Sequence, residues 1–394
     1  MTPMLNDLWG TATLIVSFLL VLGGVVFVHE FGHFFVARRC GVKVEVFSIG
    51  MGPEVLGRTD RRGARWRLSA IPIGGYVRFA GDRDAASAPD EDALAAMPPT
   101  ERRETLAGQP VLARAAIVAA GPLANLVAAV VVLSAIAYAY GERYLPPRVD
   151  AVVAGSPAEQ AGFKPGDVIE SVNGRTIASF EDIIDVVTLR AGEPLRFVVD
   201  RGGHEIVLTA TPALASIDTP AGSQRAGRLG LAANASSAQV IYPTPLGAIK
   251  SGLGDSWRLV SVTGDYLSRV VTGRSAPDQL SGPVRIAKMS GAAASLGPVA
   301  LLKLAAILSL SLGLMNLLPV PMLDGGHLLF YAIEGARGRP LSRAAQEIGL
   351  RIGAALVVAL MLFVTFNDIR SLITGCGGGA SVLRRCGRAT ARRP

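Results

Sequence analysis

The sequence predicts a polytopic α-helical membrane protein of about four transmembrane helices, with a β-element in the first inter-helix loop and an α+β domain inserted in its middle third. Three observations carry this reading. Half of the 394 residues are hydrophobic and 18% are charged, whereas a soluble domain has about 25% charged residues. The apolar residues are gathered into four runs, three of which are as long as the roughly 20 residues that cross a bilayer. Between the second and third runs, apolar residues alternate strand-fashion between turn signals. A single soluble globule, a disordered chain and a collagen are excluded, and three cysteines cannot staple a chain of this size. The net charge of +8 then reads as membrane topology, and no nucleic-acid partner is expected.

The first run, Leu8 to Val28, carries no charge, and its helical pattern continues to Ala37; a first helix over 8–37 follows. A cleaved secretory signal is the competing reading. No Lys or Arg precedes the run and no small-residue cleavage site follows it, so the run is retained as a span. Arg38 to Arg103 contains twelve basic residues, among them Arg58, Arg61, Arg62, Arg65 and Arg67. The loop over 38–112 is therefore expected in the cytoplasm and the N-terminus outside.

Within that loop, Val42 to Ile49 and Trp66 to Phe79 are rich in Val, Ile, Phe, Trp and Tyr and broken by Gly pairs, a strand-and-turn signature. Asp82 to Arg103, with its Asp, Pro, Ala and Ser, reads as a mobile linker. The second helix is expected over 113–140, the third over 298–333 and the fourth over 348–370. Residues 245–290 hold Ile249, Leu253, Trp257, Val260, Leu267 and Val270 near helical spacing. They read as an amphipathic helix on the outer membrane face or as packing beneath the inserted domain. Residues 371–394 form a basic tail that falls outside, against the charge rule, and Cys376 and Cys386 share it without supporting a disulfide.

The chemistry lies inside the first span, in His29-Glu30-Phe31-Gly32-His33. Residues four apart share a helical face, so both imidazoles can hold one zinc while the adjacent Glu serves as general base. Each full charge at membrane depth costs about 2.5–3.5 kcal/mol on insertion scales, which a packing role does not explain. A catalytic zinc needs a third protein ligand. Asp324, in Asn316-Leu-Leu-Pro319-Val-Pro321-Met-Leu-Asp324-Gly325-Gly326-His327, is the other membrane-embedded acid. Its competing role is N-cap of the helix that follows. His327 shares its helical face and suits packing or support of the site better than ligation.

HEFGH with NLLPVPMLDGGH resembles the site-2 protease family of intramembrane zinc metalloproteases, in its bacterial regulator-of-sigma-E protease branch. Matching segments include Phe47 to Pro53, Ile71 to Arg78, Ala120 to Asn125 and Leu280 to Lys288. The resemblance implies that His29, His33 and Asp324 bind Zn2+ and that Glu30 activates water. It places Asn316, Asn125, Pro319, Pro321, Gly74 and Gly75 along the substrate. It further implies a β-element dipping toward the site, whose edge pairs with an unwound substrate segment. Substrates would be single-pass membrane proteins, such as anti-sigma factors or signalling proteins, already shortened on the periplasmic side of a bacterial inner membrane.

The inserted domain is expected over 145–240 with its core at 149–212. Asn173-Gly174 between apolar runs is a strong hairpin signal. Gly155-Ser-Pro-Ala-Glu-Gln-Ala-Gly162, followed by Gly166-Asp-Val-Ile-Glu-Ser-Val-Asn-Gly174, resembles the bacterial PDZ domain. That resemblance implies one periplasmic PDZ domain, closed by Arg228 to Ala233, that binds a peptide or gates substrate access. Two other functions compete with proteolysis. An inert PDZ scaffold sits poorly with an intact HExxH, and a zinc transporter sits poorly with four histidines in the whole chain.

Overall fold

The computed structural model describes residues 3–83, 91–219, 222–274 and 282–376. Helix α1, Pro3–Arg39, places Arg38 and Arg39 in its last turn, where they complement the helix dipole. The Val42 N–H returns to the Ala37 carbonyl and ends it. Strands β1, Val44–Thr59, and β2, Arg65–Phe79, pair antiparallel. The first strand is longer than expected. Gly50 to Thr59 has weak strand propensity, yet Glu54 to Thr59 lies opposite Ser69 to Arg65, and the pairing overrides the propensity. The hairpin closes where the Asp60 carboxylate accepts the N–H groups of Arg62 and Ala64. Phe34 of α1 meets Phe47 and Trp66 at ring centroid distances of 5.3 and 5.0 Å, seating the sheet on the helix.

The expected mobile linker instead holds α2, Glu91–Ala96, and α3, Pro99–Arg102, while 84–90 lie outside the described residues. Leu94 and Leu106 are buried and tie this stretch down. Helix α4 is Val111–Tyr140, with Pro122 inside it. The middle of the chain runs through β3 (Glu142–Tyr144), β4 (Ala151–Val152), α5 (Pro157–Gln160), β5 (Val168–Val172), β6 (Arg175–Thr176) and α6 (Phe180–Leu189). It continues through β7 (Leu195–Arg201), β8 (His204–Ala210), β9 (Ala213–Thr219), β10 (Gly222–Arg228), β11 (Leu231–Ala232) and β12 (Gln239–Ile241). Helices α7 (Pro245–Val271), α8 (Pro283–Ser295), α9 (Pro298–Asn316), α10 (Asp324–Arg337) and α11 (Arg343–Cys376) complete it.

The chain divides into two compact units. The first comprises Met1–Ala135, Ile249–Val260 and Ile286–Phe363, and the second Ile136–Ala248, Ser261–Arg285 and Val364–Pro394. In the second unit β6, β5, β7 and β8 form a sheet in that order. Asn173 and Gly174, at φ of 51° and 80°, turn the chain between β5 and β6 as a two-residue hairpin requires. The Ser179 hydroxyl and the Asp182 carboxylate cap α6 reciprocally. Ile169, Leu195, Phe197 and Val199 are fully buried, and Leu229 joins them, so this core runs past residue 212. The β9–β10 hairpin was not expected from the sequence. Arg190 and Glu193 pair with Asp265 and Arg269 of α7. The Arg269 guanidinium holds the Glu193 carboxyl below the usual range.

Among the described residues, four helices are long and apolar enough to cross a membrane: Trp9–Arg39, Val111–Tyr140, Pro298–Asn316 and Ala344–Asp368. The chain is a multi-pass membrane protein. The third expected span is not one helix. Pro319 and Pro321 cannot continue a helix, so α9 ends at Asn316 and α10 starts at Asp324. In contrast, α11 runs to Cys376, beyond the expected start of the tail, and 377–394 lie outside the described residues.

Candidate metal centre

All the groups of the site belong to the first unit. His29 and His33 project from one face of α1, four residues apart, and both are nearly buried. His33 Nδ1 lies 2.9 Å from the Ile117 carbonyl of α4. A carbonyl only accepts, so the ring proton sits on Nδ1 and the Nε2 lone pair is left free. His29 turns its Nδ1 toward Asn125 of α4, 3.3 Å from Nδ2. Both Nε2 atoms consequently face the same point, 3.2 Å apart.

Asp324 completes the group. It opens α10, but the cap is Leu323, at φ −95° and ψ 163°, without a side-chain hydrogen bond. The capping role is therefore set aside. The carboxylate instead brings Oδ2 to 3.1 Å from His29 Nε2 and 3.5 Å from His33 Nε2. That oxygen is buried, and the two imidazole nitrogens are the polar atoms it faces. Ligands held at about 2.0–2.1 Å around a tetrahedral zinc stand about 3.3 Å from one another. Separations of 3.1, 3.2 and 3.5 Å match that spacing. Among the described residues this is the one cluster of three such groups within reach of a common ion. The donor set and its spacing fit zinc.

The three ligand residues border a cleft of about 250 Å³, also lined by Glu30, Gly75, Asn316, His327 and Tyr331. Glu30 sits between the histidines in sequence, and β2 passes against it. A Cβ on Gly75 would stand 2.8 Å from the Ser48 carbonyl oxygen and 3.1 Å from Glu30 Cγ, which explains the glycine. Asn316 reaches the cleft as the last residue of α9. Met322 also lines it, at φ +88°, a left-handed conformation uncommon for a residue with a Cβ.

Other residues that the sequence placed along the substrate are not in the cleft. Asn125 is fully buried behind His29, because α4 crosses α1 there. Pro319 is exposed, and Pro321 fills the space above Gly353 of α11. Gly74 faces the Met51 side chain. Sequence reasoning also assigned no role to Gly121. A Cβ there would lie 2.2 Å from His33 Nε2, and one on Gly32 would lie 2.3 Å from the Ala120 carbonyl oxygen. Small residues in two apolar spans are the signal of such a crossing. Across the cleft, Arg114 of α4 pairs with Glu334 of α10 at 2.6 Å and stacks 4.9 Å from the Tyr331 ring centroid.

The model of peptidase family M50 matches residues 17–360. A protein of Agrobacterium fabrum named "Putative zinc metalloprotease" is 46% identical over 91% of this chain and 96% of its own length. A similarly named protein of Rhizobium meliloti is 45% identical, over 90% of this chain and 96% of its own. Metalloprotease MmpA of Caulobacter vibrioides is 41% identical, over 91% of this chain and 96% of its own. With the match spanning all three ligand residues and Glu30, the chain belongs to peptidase family M50 and is a membrane-bound zinc metalloprotease.

Proposed function

We propose that this metalloprotease cleaves single-pass membrane proteins within the bilayer, as a regulator-of-sigma-E-like member of its family. The observation that carries the proposal is the placement of His29, Glu30 and His33 inside an apolar membrane-crossing helix. A soluble substrate would not require such burial of polar groups.

His29, His33 and Asp324 would hold the zinc through Nε2, Nε2 and Oδ2. When bound, the metal supplies Lewis-acid polarisation and positive charge. Glu30 takes the proton from the attacking water and returns it to the leaving amine. Asn316 offers an amide to the substrate backbone at the cleft. A helical substrate hides its scissile carbonyls in its own hydrogen bonds and must be unwound first. Gly75, with no side chain in the way, leaves the β2 backbone open to pair with the unwound segment.

Residues 145–240 of the second unit are read as a single PDZ module on the periplasmic side of a bacterial inner membrane, where it binds a peptide or excludes intact substrates. Its Gly155–Gly174 stretch and its hairpin turn support that reading. The arginine-rich first loop supports a cytoplasmic β-hairpin and an external N-terminus. Substrates would be anti-sigma factors or other signalling proteins shortened beforehand.

The test is reconstitution in liposomes with a model single-pass substrate. Glu30→Gln should keep its zinc and lose cleavage by at least about 10²–10⁴-fold. Zinc-dependent cleavage that survives Glu30→Gln would sink the mechanism. Cleavage confined to a soluble peptide, with the membrane substrate untouched, would sink the intramembrane assignment.

A further inference from the structure

We infer that Asn125 is a positioning residue for the metal ligand His29, and not a substrate-binding residue. Its side chain is fully buried, with Nδ2 3.3 Å from His29 Nδ1 and Oδ1 without any hydrogen-bond partner. It does not line the cleft. Its own backbone is held in turn, because the Ser309 hydroxyl of α9 donates to the Asn125 carbonyl at 3.0 Å.

An amide presents a donor and an acceptor on one planar group, and a half-turn exchanges them. With Nδ2 against Nδ1, the His29 proton is forced onto Nε2, where it is donated to Asp324 Oδ2 at 3.1 Å. With Oδ1 there, the proton moves to Nδ1 and the Nε2 lone pair is released. A metal ligand needs the second arrangement, and the orphaned Oδ1 is the acceptor it requires. His33 receives the same service from a fixed carbonyl, that of Ile117. α4 thus orients both rings from behind, one through its backbone and one through Asn125. Partners of this kind commonly contribute 10–100-fold to metal affinity.

The inference rests on His29 being a zinc ligand, and the test separates the two. Zinc affinity of the full-length protein is measured by chelator competition, with kcat and KM taken at saturating zinc. Asn125→Leu, similar in size but without an acceptor, should weaken zinc binding about 10–100-fold. Asn125→Asp, which can only accept, should restore affinity to within a few-fold of wild type. KM at saturating zinc should stay unchanged in both. If Asn125→Leu keeps wild-type zinc affinity, or raises KM instead, the positioning role is refuted. Equal loss in the Leu and Asp variants refutes it as well, because packing alone then accounts for the residue. If His29→Ala itself keeps wild-type zinc affinity, the ligand assignment is what has failed, and this inference falls with it.

Discussion

Gly121→Ala tests the helix crossing that builds the metal centre. The added methyl would stand 2.2, 2.5 and 2.8 Å from Nε2, Cε1 and Cδ2 of the His33 ring. Non-bonded heavy atoms rest at about 3.5–4.0 Å, so the ring must retreat by more than about 1 Å. It has no free direction. Nδ1 is bonded to the Ile117 carbonyl at 2.9 Å, and Nε2 is packed among His29 and Asp324. Metal bonds tolerate about 0.2 Å, and a misplacement of about 1 Å near a reacting centre costs about 10²-fold in rate. Overpacking itself costs about 1–3 kcal/mol. The expected result is a folded, membrane-inserted protein with substoichiometric zinc and cleavage reduced about 10²-fold or more. Zinc is measured by metal analysis of the purified protein and cleavage on a reconstituted substrate. Gly23→Ala, in α1 with nothing within 4 Å of the new methyl, is the control, with zinc and activity unchanged. Full zinc and full activity in Gly121→Ala would refute the close crossing of α1 and α4.

Two further predictions concern ion pairs in the separate units. Burial pushes the fully buried Asp167 carboxyl up, but the Arg201 guanidinium at 2.7 Å and the Lys164 N–H at 2.8 Å outweigh it and hold it below the usual range. A depressed carboxyl contributes stability that is present above the unfolded value of about 3.9 and lost as pH falls through the folded one. Hydrogen exchange of 145–240 in the full chain should therefore accelerate as pH drops below about 4, after correction for intrinsic rates. Arg201→Met should destabilise the same region by about 3 kcal/mol at neutral pH; unchanged protection would exclude the pair as a support. In the first unit, a double-mutant cycle on Arg114→Ala and Glu334→Ala should give a coupling of about 0.5–3 kcal/mol in thermal unfolding. Additive effects would show that α4 and α10 are held by other contacts.

How far the sequence reaches differs from element to element. The apolar spans were legible because hydrocarbon demands long uncharged runs, which composition displays directly. The HExxH pair was legible because its geometry is local: four residues on one helix set both rings. The Asn173-Gly174 turn was legible for the same reason. In contrast, Gly50 to Thr59 reads as poor strand and forms one, since the partner across the hairpin supplies the ladder. The stretch 82–103 reads as linker, yet residues 91–96 and 99–102 are helical, with Leu94 buried and Leu106, just beyond, packed in the cluster of Phe34, Val42 and Ile117.

The metal centre divides along the same line. The sequence by itself determined the residue types, their place in a long apolar helix and the two-histidine face, because each is a local property of one helix. Tertiary structure alone decided that Asp324, almost three hundred residues away, turns its carboxylate to the histidines and does not cap α10. It alone decided that Asn125 stands behind His29 while Pro319 and Pro321 stay out of the cleft. Those outcomes depend on where α1, α4 and α10 meet, and helix crossings are set by packing between surfaces that no local pattern encodes.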